Sequence, residues 1–251
     1  MQNSLVIDIG NTKIKAGYFK QDTLVEVFSC ETQGPFKEDF VGFLSKSPAD
    51  EILLSSVSTR GSETVQKILR EVNRPFRVLD FSKLKLKLDV DEKEQLGHDR
   101  IANAYGALHR FPQYDCIIVD IGTGVTFDLV TKEGCYKGGA IYPGMEISAR
   151  SLAEYTDRLP LVSVQKPPSP LAKTTETHIQ SGIYYGLLGA IERIVFELRQ
   201  LGPLPISVQV LATGGALQTD ALISDVQELV DVIDPHLTLI GLHEILKELT
   251  P

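Results

Sequence analysis

Leu5-Val6-Ile7-Asp8-Ile9-Gly10-Asn11-Thr12 is the most informative segment of the sequence, because a close copy of it follows later in the chain. The copy reads Ile117-Ile118-Val119-Asp120-Ile121-Gly122-Thr123-Gly124, at an offset of 112 residues in a chain of 251. Each stretch begins with an apolar, β-branched run, which is typical of a buried strand, and continues into Asp-Ile-Gly. The pattern favours a domain duplicated within one chain over a chance match between two short strings.

A second strand is predicted directly after each copy. Apolar residues alternate with lysine and glycine from Lys13 to Tyr18, and Val125–Val130 follows the second copy. Each half therefore begins with a hairpin whose turn contains Asp, Gly and either Asn or Thr. We place the domain boundary just before the second copy, which gives an N-terminal domain of residues 1–112 and a C-terminal domain of residues 113–251.

The remaining sequence alternates between strand and helix patterns, which predicts an α/β fold with mixed sheets flanked by helices. Strands are predicted at Glu51–Val57, Pro75–Asp80, Lys83–Leu88 and Ile206–Ala212. Helices are predicted at Ser62–Val72, Asp99–Arg110, Met145–Tyr155, Thr175–Leu201, after Thr219, and at Leu242–Leu249.

Composition argues against several classes of protein. The net charge of −8 disfavours a nucleic-acid or membrane-surface binder, because phosphate-rich surfaces attract basic faces. No apolar run reaches the roughly 18–20 residues that span a membrane, and the N-terminus lacks a basic signal-peptide region. Cys30, Cys116 and Cys135 match no zinc-binding spacing, so we expect thiols in a reducing compartment, the cytoplasm.

The first turn has the composition of an anion-binding site. Gly10 and Asn11 allow a tight turn whose backbone N–H groups point outward, while Thr12 adds a hydroxyl and a lysine adds charge. Asp8, at the end of the strand, is placed to hold Mg²⁺ against a phosphate. Taken alone, the same residues are also compatible with an ordinary hairpin turn.

The second turn strengthens the phosphate hypothesis, because two such turns in matching halves would grip a triphosphate from both sides of a cleft. A third glycine turn, Gly214-Gly215, follows a predicted strand, and residues without side chains permit close approach of an adenine ring or ribose. The chain has no Gly-x₄-Gly-Lys-Ser/Thr motif, which argues against a P-loop kinase.

The motif Gly97-His98-Asp99-Arg100 stands at the start of a predicted helix. Arginine suits an anionic acceptor such as a carboxylate, and a neighbouring aspartate is suited to accept the proton of an acceptor hydroxyl during phosphoryl transfer. In the alternative interpretation, Asp99 only caps the helix, Arg100 pairs on the surface and His98 faces solvent.

These motifs occur together and in order: Asp-x-Gly-Asn-Thr-x-x-Lys from Asp8, Gly-x-Asp-Arg-x-x-Asn from Gly97, Asp-x-Gly-Thr from Asp120, and Gly-Gly-x-Ile-x-Pro-Gly from Gly138. In this combination the sequence resembles the type III pantothenate kinases over about Leu5 to Leu217. The resemblance implies the actin/Hsp70/sugar-kinase superfold, with two ribonuclease H-like domains and an interdomain nucleotide cleft. It also implies a homodimer that acts on ATP and pantothenate.

The resemblance implies a role for each matching residue. Asp99 would be the general base, and Asp120 would hold a monovalent cation, K⁺ or NH₄⁺. Mg²⁺ would accompany ATP near Asp8. Pantothenate would contact Gly97, His98, Asp99, Arg100 and Thr175. ATP would contact Asp8, Gly10, Asn11, Thr12, Lys13, Lys15, Gly122, Thr123, Gly214 and Gly215.

The sequence departs from the family pattern at three positions. Val90 and Lys93 stand where the family often has tyrosine and proline, and Gly124 stands where it often has alanine. The change at Val90 removes one expected hydroxyl contact to the acceptor. A kinase for another small hydroxylated acceptor therefore stays open. A nucleotide-binding regulator that kept the fold and lost catalysis is a further alternative, and the intact Asp8, Asp99, Arg100 and Asp120 argue against it.

Overall fold

The computed structural model describes residues 3–201 and 208–250, which divide into two compact units. Unit 1 contains the chain up to Pro112 together with the segment from His236 onward, and unit 2 contains Gln113–Pro235. The C-terminal segment thus differs from the sequence expectation, which assigned it to the second domain. Its helix packs against a helix and strands of unit 1, so its apolar side chains are buried there.

Unit 1 begins with three consecutive strands and then alternates helices with short strands. Its elements are β1 Ser4–Ile9, β2 Lys13–Lys20, β3 Thr23–Glu31, α1 Lys37–Lys46, β4 Glu51–Ser56, α2 Thr59–Glu71, β5 Arg77–Val78, β6 Lys87–Leu88 and α3 His98–Arg110. Unit 2 repeats the plan with β7 Asp115–Ile121, β8 Gly124–Thr131, β9 Cys135–Pro143, α4 Met145–Glu154, α5 Thr175–Gln200, β10 Val208–Thr213, α6 Asp220–Gln227 and β11 Val232–Ile233. The C-terminal helix of unit 1 is α7 Leu237–Leu249.

The two units have the same strand topology. In unit 1 the order is β3-β2-β1-β4-β5, and in unit 2 the corresponding strands run β9-β8-β7-β10-β11. In both units the first three strands along the chain pair antiparallel, and the next two are parallel to the first. The repeat in the sequence therefore corresponds to a repeat in structure.

The central strands are apolar on both faces because helices cover both sides of the sheet. In unit 1, Leu5, Ile7 and Ile9 of β1 belong to one core cluster, and Val6 belongs to the cluster on the other face. Asp8 is the next residue along β1 on the same face as Val6, where it interrupts the apolar side chains. A polar residue at the end of an otherwise buried strand is placed for function rather than for packing.

The segment Lys83–Leu88 differs from the extended strand that its alternation predicts. A single 3₁₀ turn covers Phe81–Lys83, and only Lys87–Leu88 is strand. The alternation instead reflects burial, since Leu84, Leu86 and Leu88 pack against the core of unit 1 while the lysines are exposed. The period of two thus corresponds to alternating burial of side chains rather than to an exposed strand over the whole segment.

Several other boundaries shift. The strand predicted at Pro75–Asp80 is reduced to Arg77–Val78, and Ile206–Ser207 of another predicted strand lie outside the described residues. Helix α2 starts before its predicted position because Ser58 caps it by accepting a hydrogen bond from the Gly61 N–H. Among the described residues, no helix combines the length and hydropathy needed to cross a membrane.

Candidate active site

The first turn connects β1 to β2 through four residues, between the paired positions Ile9 and Ile14. The Gly10 N–H donates to the Lys13 carbonyl at 2.9 Å, and a Cβ on Gly10 would lie 2.9 Å from the same oxygen. Only glycine fits at this position without displacing the turn.

Thr32, directly after β3, fastens the first turn from one side. Its hydroxyl donates to the Gly10 carbonyl at 2.9 Å, and its N–H donates to the Thr12 carbonyl at 2.8 Å. Two carbonyl groups of the turn are thereby bonded within the protein. An anion-binding turn requires this polarity, because carbonyl oxygens repel a phosphate whereas N–H groups attract it.

Asp8 has a cationic neighbour and a hydroxyl neighbour in the sheet. It pairs with Lys15 across the hairpin and with Ser55 of the parallel strand β4. Side chains at paired positions of adjacent strands share one face of a sheet. The structure therefore brings Asp8, Lys15 and Ser55 together, while Lys13 lies within the turn beside them.

The motif from Gly97 to Arg100 forms the start of α3, with Gly97 in the capping position. The carboxylate of Asp99 accepts a hydrogen bond from the Arg100 N–H at 2.9 Å. A Cβ on Gly97 would lie 2.5 Å from this carboxylate, so the glycine leaves room for it. The structure thus fixes the orientation of the predicted general base at the N-terminus of a helix.

His98 is half-buried, and its ring contacts the Phe81 ring edge-on at a centroid distance of 4.1 Å. Burial lowers the pKa of His98 below its ordinary value of 6.5, and the neighbouring Asp99 charge opposes this shift. A neutral imidazole is the expected form at neutral pH. The alternative interpretation of the sequence placed His98 facing solvent, whereas in the structure its ring is half-buried against Phe81.

Helix α3 lies over the face of the unit 1 sheet that carries Asp8. Ile101 and Ala102 of α3 belong to the same core cluster as Val6 and Leu53, which precede Asp8 and Ser55 by two residues in their strands. Because side chains two residues apart share a face, the acceptor motif and Asp8 belong to the same side of one sheet. This is the central geometric relationship of the site in unit 1.

Helix α7 holds α3 in place, which sequence reasoning did not foresee. The hydroxyl of Thr238 donates to the Asn103 side-chain carbonyl at 2.7 Å, in a buried position. Gly106 of α3 packs against the Leu237 backbone, where a Cβ would lie 2.5 Å from the carbonyl oxygen. Gly106, within the predicted helix Asp99–Arg110, was the available signal of a close helix contact, because such contacts require small residues.

The second turn connects β7 to β8 and is one residue shorter than the first. Three residues separate the paired positions Ile121 and Val125, and the Gly122 N–H donates to the Gly124 carbonyl at 3.1 Å. The Gly144 N–H donates to the Thr123 carbonyl at 3.1 Å. Gly144 packs so closely on the carbonyls of Gly122 and Thr123 that a Cβ would collide with both.

The third glycine turn packs directly on the second. Gly214 has a φ of +118°, and a Cβ there would collide with the backbone of Ile121. The N–H of Ala216 donates to the Ile121 carbonyl at 2.9 Å. The structure thus brings Gly122, Thr123, Gly214 and Gly215 together in unit 2, and requires glycine at position 214 for both reasons.

Asp120 occupies the same position in unit 2 as Asp8 does in unit 1. It pairs with Thr126 across the hairpin and with Thr213 of the parallel strand β10. Thr213 is fully buried, and its hydroxyl has no hydrogen-bond partner within the described residues. An orphaned buried oxygen beside a carboxylate fits a cation site, because K⁺ is held by oxygen ligands.

Thr175 is the first residue of α5 and is exposed. The helix start is stabilised by a capping box between Thr174 and Thr177, so this segment is well defined. Thr175 belongs to unit 2, whereas the rest of the predicted acceptor site belongs to unit 1. Of the three positions that depart from the family pattern, Val90 is half-buried, Lys93 begins a 3₁₀ turn and Gly124 begins β8.

Comparison with solved structures shows the class of protein. The chain is similar to a protein from Campylobacter jejuni that is assigned to the Baf family of transcriptional activators, with a TM-score of 0.59, 20% identity and coverage of 97% of this chain and 98% of that one. It is also similar to the activator of 2-hydroxyisocaproyl-CoA dehydratase from Clostridium difficile with bound ADPNP, with a TM-score of 0.52, 11% identity and coverage of 98% and 95%. These likenesses show an actin-like α/β fold, the fold of a class of kinases and ATPases.

Sequence comparison shows the family. The model of the type III pantothenate kinase family matches residues 4–197. A type III pantothenate kinase from Geotalea uraniireducens (strain Rf4) is 34% identical over 252 residues, with 95% of each chain covered. The chain belongs to the type III pantothenate kinase family and is a transferase.

Proposed function

We propose that this protein transfers the γ-phosphoryl group of ATP to the primary hydroxyl of pantothenate, giving 4′-phosphopantothenate and ADP, the first step of coenzyme A biosynthesis. The observation that carries the proposal is the position of Asp8 and Asp99 on one side of the unit 1 sheet. A phosphate turn and an acceptor motif on the same sheet face suit a kinase better than a protein that only binds a nucleotide. Membership of the pantothenate kinase family supports this acceptor.

In the proposed reaction, Asp99 accepts the proton of the pantothenate hydroxyl. The hydroxyl oxygen forms a bond to the γ-phosphorus, and the bond from that phosphorus to the ADP oxygen breaks. Arg100 pairs with the pantothenate carboxylate, while Gly97 and His98 complete the pocket. A neutral His98 is suited to hydrogen-bond the uncharged amide or hydroxyl groups of the substrate.

ATP is bound by residues of the glycine turns. Asn11 and Thr12 offer N–H groups and a hydroxyl to the phosphates, Gly10 allows close approach of the phosphates to the turn, and Lys13 and Lys15 add positive charge. Asp8 holds Mg²⁺, directly or through water, and Mg²⁺ neutralises charge on the phosphates when bound. Thr123 and Gly122 contact ATP from the second turn, and Gly214-Gly215 admits the adenosine. Asp120 holds a monovalent cation, K⁺ or NH₄⁺.

A homodimer is part of the proposal, with Thr175 contacting pantothenate at the interface. Helix α5 supports it through an exposed row formed by Gly182, Gly186, Gly189 and Phe196. A Cβ on Gly182 or Gly189 would meet nothing within 4 Å, yet glycine costs about 1 kcal/mol relative to alanine inside a helix. Close packing of a second copy of the chain on this face would account for the glycines at these positions. The same packing would cover Phe196, which is 53% exposed.

The proposed location is the cytoplasm, because the cysteine pattern favours a reducing compartment.

The test is ADP release by the purified protein with Mg-ATP and K⁺, with and without pantothenate, and with other small alcohols in its place. Release that requires pantothenate supports the proposal. Release with another alcohol alone would assign a different acceptor. Stoichiometric ATP binding without release on any acceptor would indicate a regulator that has kept the fold and lost catalysis.

A further inference from the structure

In the row of side chains that contains the site carboxylate, the two halves of the chain differ on both sides of that carboxylate, and on one side the difference changes the charge. In unit 1, Asp8 lies between Lys15 and Ser55 of the neighbouring strands. In unit 2, the equivalent Asp120 lies between Thr126 and Thr213. The first carboxylate thus has a cation built into the adjacent strand, and the second has a hydroxyl in its place.

The packing of unit 2 confirms that the side chains of Asp120, Thr126 and Thr213 share one face of the sheet. Val119, Ile121 and Ala212 are the chain neighbours of Asp120 and Thr213, and all three belong to the core cluster formed with α5 and α6. Because side chains alternate along a strand, Asp120 and Thr213 point to the opposite face of the sheet. Thr126 pairs with Asp120 and therefore points the same way.

The hydroxyl proton of Thr126 is committed to a buried carboxylate. Thr126 Oγ1 donates to Asp128 Oδ2 at 3.1 Å, and Asp128 is fully buried. Asp128 also accepts a hydrogen bond from the Tyr136 hydroxyl on its other oxygen. With its proton directed to Asp128, the oxygen of Thr126 presents lone pairs to its other neighbours, which suits a ligand for a cation.

Thr213 lacks the partner that a buried hydroxyl needs. Its exposure is 0%, and within the described residues its oxygen accepts and donates no hydrogen bond. An unsatisfied buried polar group costs about 1–3 kcal/mol, so a bound species that satisfies this oxygen would offset the cost. Since Asp120 stands beside it on the sheet, a cation is the species that satisfies both groups.

We propose that Thr126 and Thr213 supply hydroxyl oxygens to the monovalent cation held by Asp120, and that this cation supplies beside Asp120 the positive charge that Lys15 carries at the position paired with Asp8. The inference rests on the proposed cation at Asp120. One carboxylate with neutral oxygens balances a single positive charge, which favours K⁺ or NH₄⁺ over a divalent ion. Asp128 contributes by holding the proton of Thr126 away from the cation.

The experiment measures how much K⁺ raises the melting temperature of the protein without nucleotide or pantothenate, relative to Na⁺ at equal ionic strength. A cation that binds only the folded state stabilises it in proportion to its affinity. In the Thr213→Val variant, which keeps the volume but lacks the oxygen, the melting temperature in Na⁺ should equal or exceed that of the wild type, while the K⁺-dependent rise should be lost. Thr126→Val should lose most of the rise, and Thr213→Ser should keep it.

Ser55→Ala is the matched control. Ser55 is 1% exposed and, among described residues, its hydroxyl also has no hydrogen-bond partner, but it lies beside the carboxylate that already has Lys15. This variant should keep the full K⁺-dependent rise. A normal rise in Thr213→Val and Thr126→Val, or loss of the rise in Ser55→Ala, would overturn the proposal.

The outcome is separable from that of the proposed function. No K⁺-dependent rise in the wild type would overturn the ligand assignment, while pantothenate-dependent ADP release in Na⁺ or K⁺ would still establish the kinase. A K⁺-dependent rise that disappears in the valine variants would support the cation site even if pantothenate proved not to be the acceptor.

Discussion

Gly241 of α7 lies directly against the backbone carbonyl of Ala102 in α3, with no room for a Cβ between them. Ala102 follows the acceptor motif by two residues. It packs in the same cluster as Val6, which precedes Asp8 by two residues and shares its face of β1. The last helix of the chain thereby determines how closely α3 can lie on the sheet. Changes in α7 are expected to reach the acceptor site through this contact.

Replacing Gly241 by alanine should destabilise unit 1, because α7 must move away from α3. Overpacking of this kind costs about 1–3 kcal/mol, measured as the free energy of unfolding in urea. Gly42→Ala is the control, since a Cβ there meets nothing within 4 Å in α1 and should stabilise the protein by about 0.5–1 kcal/mol. Equal effects of the two substitutions would contradict the close contact.

Replacing Asp99 by asparagine should lower kcat by about 10²–10⁴-fold, because the amide cannot accept the acceptor proton. Asparagine keeps an oxygen for the hydrogen bond with the Arg100 N–H, so the helix start and the affinity for ATP should be retained. Asp220→Asn, in the first turn of α6, controls for loss of an acidic residue near a helix N-terminus and should leave kcat unchanged. Near-normal turnover of Asp99→Asn would exclude the general-base role.

Two glycines at the second turn should respond differently to alanine. A Cβ on Gly144 would collide with the carbonyls of Gly122 and Thr123, whereas a Cβ on Gly124 would make an ordinary contact, 3.9 Å from the Tyr142 carbonyl. We expect Gly144→Ala to displace the turn and weaken ATP binding about tenfold to hundredfold, equivalent to about 1–3 kcal/mol. Gly124→Ala should bind ATP normally. The affinity of both variants for ATP is measured by isothermal titration calorimetry. Normal binding by Gly144→Ala would argue against a role of the second turn in ATP binding.

His243 should make stability depend on pH. Its ring stacks on Phe19 at 4.1 Å, and its Nδ1 lies 2.9 Å from the Ser4 hydroxyl. Burial lowers the pKa of His243 below the ordinary 6.5, although the Asp22 carboxylate, 3.5 Å from Nε2, opposes the shift. Below pH 6.5 the unfolded chain therefore binds more protons at this residue than the folded protein does. The contribution of His243 is present above that pH and is lost as the pH falls towards the lowered pKa.

Urea unfolding of the wild type and of His243→Gln at about pH 7.5 and about pH 5.5 measures this contribution. The wild type should lose more free energy of unfolding than the variant between these two values. Other titrating groups, such as His98, are present in both proteins and cancel in the difference. An identical loss in both proteins would show that His243 titrates alike in the folded and unfolded states.

The duplicated strands and their turns were predictable from sequence because they depend on local patterns. The runs ending in Asp8 and Asp120 are apolar and β-branched, and glycine follows each carboxylate where the chain must turn. The helix that follows Gly97 was also predictable, because the motif stands directly before a segment with helical spacing of apolar residues. Family resemblance then assigned roles that spacing alone left open between a hairpin turn and a phosphate site.

Features that depend on contacts between distant segments were not predictable. Nothing in the sequence near α7 indicates that it packs on α3, so the C-terminal helix was assigned to the wrong half. Helix α1, Lys37–Lys46, was missed although its buried residues Phe40, Phe43 and Leu44 have helical spacing, because the segment is only ten residues long. The hydroxyls of Ser55 and Thr213 became visible as neighbours of Asp8 and Asp120 only through the strand register.

The most direct test of the central claim is transfer of a labelled phosphoryl group. The purified protein is incubated with pantothenate, Mg²⁺, K⁺ and ATP that is isotopically labelled at the γ-phosphate. The products are then separated, and their masses are measured by mass spectrometry. We predict one labelled 4′-phosphopantothenate for each ADP formed, with the initial rate of label transfer about 10²–10⁴-fold lower in Asp99→Asn. Binding of ATP with no label on pantothenate would contradict the assignment of this chain as a pantothenate kinase.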